Sequence, residues 1–132
     1  MVRDNPALPS HPRLLLAYTD SAHASRCVRY FRRLGWEVHM VASGAEAQRL
    51  AVEMAPHVVV VDAALPDESG WLIAARIRRA APQQRVILLT ETADAPARER
   101  ADALGIAGPV ERADGPEALA ALVYDRPLSV AV

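Results

Sequence analysis

The chain has 132 residues, of which 52% are hydrophobic and 23% charged, which suits one soluble globular domain with its own core. Its net charge of −1 gives no reason to expect nucleic acid or an anionic membrane as partner. Cys27 is the single cysteine, which excludes an internal disulfide framework. No run approaches the roughly 18 apolar residues of a membrane span, and no basic-then-apolar signal opens the chain, so a cytoplasmic protein without membrane insertion is expected.

Residues 1–12 carry Pro6, Pro9 and Pro12 at three-residue spacing and read as a flexible tail. Alternation then begins. Leu14 to Tyr18 is a short apolar run, read as a buried strand. Ser21 to Leu34 predicts a helix with Cys27, Val28, Phe31 and Leu34 inward, stopped by Gly35. Trp36 to Val41 reads as a second strand. Ser43, with Glu46 three residues on, predicts a capped helix whose inner stripe is Ala47, Leu50, Ala51 and Met54 and whose end is marked by Pro56.

His57 to Val61, closed by Asp62, is apolar on both faces, as a central parallel strand should be. A loop with Pro66 and Gly70 leads to a helix from about Trp71 to Ala80, with Ile73, Ala74 and Ile77 inward and Arg76, Arg78 and Arg79 read as a solvated face. Arg85 to Thr90 predicts a fourth strand and Pro96 to Leu104 a fourth helix, with Gly105 beyond it. Ile106 to Glu111 is a weak fifth strand. A last helix starts near Asp114, presents Leu119, Leu122 and Val123 to the core, and ends before Pro127, leaving residues 126–132 as a second tail.

Five strand–helix units in strict alternation over residues 13–125 predict an α/β fold: a doubly wound parallel five-stranded sheet in a three-layer sandwich. Sites in such sheets lie at the carboxyl ends of the strands. Those ends present Tyr18-Thr19-Asp20, Asp62, Thr90-Glu91 and Glu111-Arg112.

On these residues the chain resembles the receiver domains of bacterial response regulators, with their flavodoxin-like, CheY-like (βα)5 fold. The landmarks are Gly35-Trp36-Glu37-Val38, Pro56 to Asp62, Leu65 to Gly70, and Val86 to Thr90. Asp62, Pro66 and Gly70 at offsets of zero, four and eight are the most specific of them. The resemblance implies that Asp62 is the phosphoacceptor and that Thr90 binds the phosphoryl oxygens. It also implies a magnesium ion held by two acidic residues after the first strand together with that aspartate.

The chain departs from this pattern at most of the remaining positions. Tyr18 and Thr19 stand where the acidic pair belongs, and Asp20 is acidic one residue late. Glu91 brings negative charge toward the phosphoryl position, Arg112 replaces the lysine, and Pro109 replaces the aromatic switch residue. Losing the carboxylates beside Asp62 should weaken magnesium severely, because a unit-charge pair about 4 Å apart is worth roughly 4 kcal/mol at an effective dielectric near 20. Arg112 paired directly with Asp62 would hold one conformation without phosphate.

The expected function is therefore an atypical receiver: a phosphorylation-independent protein-interaction module, not an enzyme, with no cofactor. The alternative is a single-domain phosphoacceptor modified on Asp62, with Asp20 and Asp62 as magnesium ligands and Arg112 and Thr90 on the phosphoryl group. An enzyme on the same sheet finds no glycine-rich phosphate loop and no nucleophile–base pair. The resemblance places the partner surface on the fourth helix, fifth strand and fifth helix, including Arg98, Arg100, Pro109, Leu122 and Tyr124. The partner is expected to be a kinase, a regulator or a larger assembly, with a homodimer also open. Ending soon after the fifth helix, the chain is expected to have no DNA-binding output. Cys27 reads as a reduced core residue, and Trp71 with Leu72 as an exposed apolar spot. His11, His23, His39 and His57 lack ligand spacing.

Overall fold

The computed structural model describes residues 10–19 and 21–125. Its parallel strands are β1 (Arg13–Ala17), β2 (Glu37–Val41), β3 (Val58–Asp62), β4 (Arg85–Thr90) and β5 (Ala107–Glu111). They alternate with α1 (Ser21–Arg33), α2 (Gly44–Glu53), α3 (Gly70–Ala80), α4 (Ala95–Leu104) and α5 (Gly115–Val123), and a 3₁₀ turn over Arg112–Asp114 joins β5 to α5. The strand order is β2-β1-β3-β4-β5. The direction of winding therefore reverses between β1 and β3, and the crevice outside their carboxyl ends is where such sheets place a site.

Each inner strand is apolar on both faces because helices cover both. Leu14, Leu16, Val58 and Val60 join Phe31, Trp36, Leu119 and Val123 in a core under α1 and α5. Leu15, Val59, Val61 and Leu88 join Ile73, Ala74 and Ile77 in a second core under α2, α3 and α4. The period of two along a strand divides neighbours between the layers. Phe31 is fully buried, which contributes about 2–3 kcal/mol.

The cap predicted at Ser43 forms, its side chain accepting from Glu46 N at the start of α2; at the start of α4 the Asp94 side chain, outside the helix bounds read from the sequence, accepts from Ala97 N. The fifth strand has a physical irregularity. Ile87 pairs with Ala107 but Leu89 with Val110, so Gly108 and Pro109 form a bulge. An edge strand tolerates proline because no outer neighbour needs its missing N–H.

The tails expected over residues 1–9 and 126–132 lie outside the described residues. Pro12, expected in the tail, is buried, and its carbonyl accepts from Glu37 N at 2.8 Å, so the packed body includes it. Among the described residues no helix is long and apolar enough to cross a membrane.

Candidate functional site

The run of valines in β3 ends on Asp62, a carboxylate inserted at the rim of an apolar sheet and the one charged residue among the buried described residues. Such an anion must be paired or hydrogen-bonded. Its Oδ1 accepts from Ala64 N at 3.0 Å and from Arg112 Nη1 at 2.6 Å. The Asp62 side chain is 2% exposed and that of Arg112 19%. The direct pairing expected of Arg112 is thus present, across 50 residues of sequence. It forms because β5 delivers Arg112 beside β3's neighbour β4, at the same end of the sheet.

The loop after Asp62 is held from several sides. Ala63 N donates to Leu89 O, Gly70 N donates to Ala63 O, and Ala64 bridges Ser69. A Cβ on Gly70 would overlap the Asp62 carbonyl and the Ala63 backbone, which is why glycine stands eight residues after Asp62. Asp67 closes the loop onto α2: its carboxylate oxygens accept from Gly44 N at 2.8 Å and Ala45 N at 3.1 Å. These bonds, Gly44's first, hold the Asp67 carboxyl below its ordinary value. No local pattern in the sequence marks Asp67, because its partners lie 22 and 23 residues earlier.

The remaining expected site residues fall differently. Thr90 ends β4 half-buried, one residue beyond the register partner of Asp62, and its hydroxyl makes no hydrogen bond to a described residue. Glu91, expected to bring bulk and negative charge toward the phosphoryl position, has a side chain 88% exposed, and its Oε1 lies 4.0 Å from Nη2 of the Arg112 that pairs with Asp62, so its charge reaches the edge of the site. Tyr18 is buried, and its backbone N–H donates to Val41 O. Thr19 Oγ1 donates to Ala64 O at 3.4 Å. Asp20 lies outside the described residues.

Magnesium needs several hard oxygen ligands, chiefly carboxylates. Among the described residues Asp62 is the carboxylate at this point, and a guanidinium already lies on it. No group of three or more His, Cys, Asp or Glu is placed to hold a metal there or elsewhere in the described chain. The described donors do not fit the ion.

The expected partner surface needs correction. Pro109 is buried in the β5 bulge and cannot present itself to a partner. Leu122 is half-buried against the α1–α5 core. Tyr124 is also half-buried, its hydroxyl accepting from Trp36 Nε1 at 2.6 Å. Arg98 and Arg100 are exposed, but Arg98 Nη1 donates to Ala93 O and Arg100 lies 4.5 Å over the Trp71 ring. An open cleft of about 880 Å³ between α4, β5 and α5 lies at the amino ends of the strands, far from Asp62. Trp71 is half-buried beneath Arg100, and Leu72 is 43% exposed. Arg78 is not merely solvated: it donates to the carbonyls of Gly105 and Pro82, tying α3 to the end of α4. Cys27 is buried, which pushes its thiol up to about 11 and leaves it unreactive near neutrality.

The family model of the response regulator receiver domain matches residues 14–124. A curated relative, the transcriptional regulatory protein AfsQ1 of Streptomyces coelicolor, is 36% identical over 83 residues. The match covers 63% of this chain but 36% of that protein, so the chain spans about a third of its relative's length. A CheY-like receiver domain protein from Methanospirillum hungatei superposes with a TM-score of 0.80 at 19% identity, covering 88% of this chain and 93% of that one. The response regulator DrrB of Thermotoga maritima gives 0.75 at 27% identity, covering 89% and 55%.

Proposed function

Because the chain belongs to the response regulator receiver domain family, we propose that it is a receiver working without phosphorylation, held in one conformation and acting by contact with a protein partner. The observation that carries this reading is the Arg112–Asp62 ion pair, 2.6 Å long with the carboxylate 2% exposed. A phosphoacceptor carboxylate must offer an oxygen to an incoming phosphoryl group, with cations placed to shield the approach. Here Oδ1 is taken by a guanidinium and by Ala64 N. Opening a buried pair of this kind costs about 3 kcal/mol or more. The protein is a binding module rather than an enzyme on this reading, and its cellular setting is the cytoplasm.

One observation favours the alternative of a phosphoacceptor: the Thr90 hydroxyl stands at the same strand end without a described partner. Magnesium followed by beryllofluoride, titrated into the isotope-labelled chain under backbone-amide NMR, separates the two. We expect no saturable shifts at Asp62 or Thr90. Saturable shifts at both, absent in Asp62→Ala, would restore a phosphorylation switch.

A further inference from the structure

Helix α2 crosses from the carboxyl end of the sheet to its amino end, and a different charged group fastens each terminus. At its start the Asp67 carboxylate accepts from Gly44 N and Ala45 N. At its end the Arg13 guanidinium donates from Nε to Met54 O at 3.1 Å and from Nη2 to Ala55 O at 2.8 Å. Both charges suit the helix dipole, with the anion at the amino terminus and the cation at the carboxyl terminus. The chain then turns through Ala55, Pro56 and His57 into β3.

That turn is strained. Ala55 has φ 45°, in the left-handed region that glycine tolerates and alanine disfavours. Pro56 restricts it further, because a residue before proline is pushed toward extended backbone. A conformation of this kind persists only where its surroundings hold it. Here the Arg13 guanidinium holds the carbonyls of Met54 and Ala55, and Gln84 Nε2 donates to Pro56 O at 3.1 Å. Arg13 and His57 add a reciprocal pair: His57 N donates to Arg13 O at 2.9 Å, and Arg13 N donates to His57 Nδ1 at 3.1 Å.

The last of these bonds exists only while the imidazole is neutral. A protonated ring carries N–H at both nitrogens and has no lone pair for Arg13 N. It also sets a second positive charge beside the Arg13 guanidinium. Burial, with the Arg13 charge second, lowers the His57 pKa from 6.5, so the ring is neutral at neutral pH. The carboxylates at this end of the sheet are engaged elsewhere. Glu53 on α2 pairs with Arg49, Asp125 beyond α5 pairs with Arg85, and Glu99 and Asp102 on α4 line the cleft beside β5. Glu37 on β2 is separated from His57 by β1. The last turn of α3 brings the cations Arg78 and Arg79, and Gln84 is uncharged.

We propose that this turn is an acid-released clasp: protonation of His57 frees Arg13, the strain at Ala55 relaxes, and α2 comes loose at its carboxyl terminus. The release is directional. Asp67 is held below 3.8 by its bonds to Gly44 and Ala45, so it stays charged where His57 titrates and keeps the start of α2 in place. The clasp lies at the opposite end of the sheet from Asp62 and does not depend on whether that residue takes phosphate.

Amide hydrogen exchange of the full, isotope-labelled chain, followed by NMR from about pH 7 to about pH 5 and corrected for the intrinsic pH dependence, tests this. The Arg13 and Met54 amides should exchange about tenfold faster at the lower pH, in step with titration of the His57 ring. Gly44 and Ala45 should not respond. His57→Phe should give the fast rates throughout the range. Ala55→Gly relieves the strain while keeping the backbone bonds, and should cut the acceleration several-fold; it keeps the test in hand should His57→Phe fail to fold. Arg13 and Met54 amides indifferent to pH, a pH response that survives in His57→Phe, an undiminished response in Ala55→Gly, or an equal response at Gly44 would each overturn the proposal.

Discussion

Each end of the sheet carries an arginine on an aspartate, with the burial reversed. At the carboxyl end Asp62 is 2% exposed and Arg112 19%. At the amino end the Arg85 side chain is 8% exposed and that of Asp125 46%. Arg85 also donates to Leu122 O, so its charge is served by a backbone carbonyl as well as by the carboxylate. The carboxyl-end pair encloses an anion in the core; the amino-end pair anchors a cation with an exposed counter-ion. A buried charge is costly to strand and an exposed one is not. The first pair can therefore lock a site, whereas the second serves to fasten the end of α5.

The largest expected effect tests that contrast directly. Arg112→Ala should destabilise the chain by about 3 kcal/mol in urea unfolding, because it strands the Asp62 carboxylate. Replacing both partners, Asp62→Leu/Arg112→Leu, should recover most of this loss and return stability to within about 1 kcal/mol of the parent. Asp125→Ala should cost less than Arg112→Ala by the same measurement, since the Arg85 guanidinium it leaves behind keeps its bond to Leu122 O. Equal losses for Arg112→Ala and Asp125→Ala would mean that burial does not distinguish the two ends.

Smaller effects separate the ends by pH. At the amino end His57 Nδ1 accepts from Arg13 N, and burial, with the Arg13 charge second, lowers the His57 pKa from 6.5. Its contribution is complete above that value and is lost as pH falls from there through the lower folded value. His57→Asn should therefore flatten the decline of the melting temperature as pH drops below about 6.5. At the carboxyl end Asp67, held below 3.8 by its bonds to α2, keeps its contribution until much lower pH. Asp67→Asn should lower the melting temperature at neutral pH, and the gap should close on acidification below about pH 4.

Asp62 was legible because a charge ends a run of four valines, and Gly70 because its offset from Asp62 repeats a known pattern. Ser43 was legible from Glu46 three residues on, a bond that closes within one helical turn. The β5 bulge was only hinted at by Gly108-Pro109, and it buried Pro109, which had been assigned to the surface. Tyr124 was assigned there too, and the Trp36 indole 88 residues away draws it inward. Asp67 escaped notice because its partners are backbone N–H groups, which no residue type announces.

Hydrophobic period and helix punctuation, both short-range properties, were enough by themselves to determine the five strand–helix units, the buried character of β3 and the place of Asp62 at a strand end. Which cation meets that carboxylate was an open choice at that level. Arg112 could equally have faced solvent. The order β2-β1-β3-β4-β5 decided it, bringing the end of β5 to the side of the sheet where Asp62 emerges. The same order left Glu91 in water and set Asp67 against α2. Pairing across tens of residues depends on how the layers stack, and a buried charge takes whatever partner the stacking supplies.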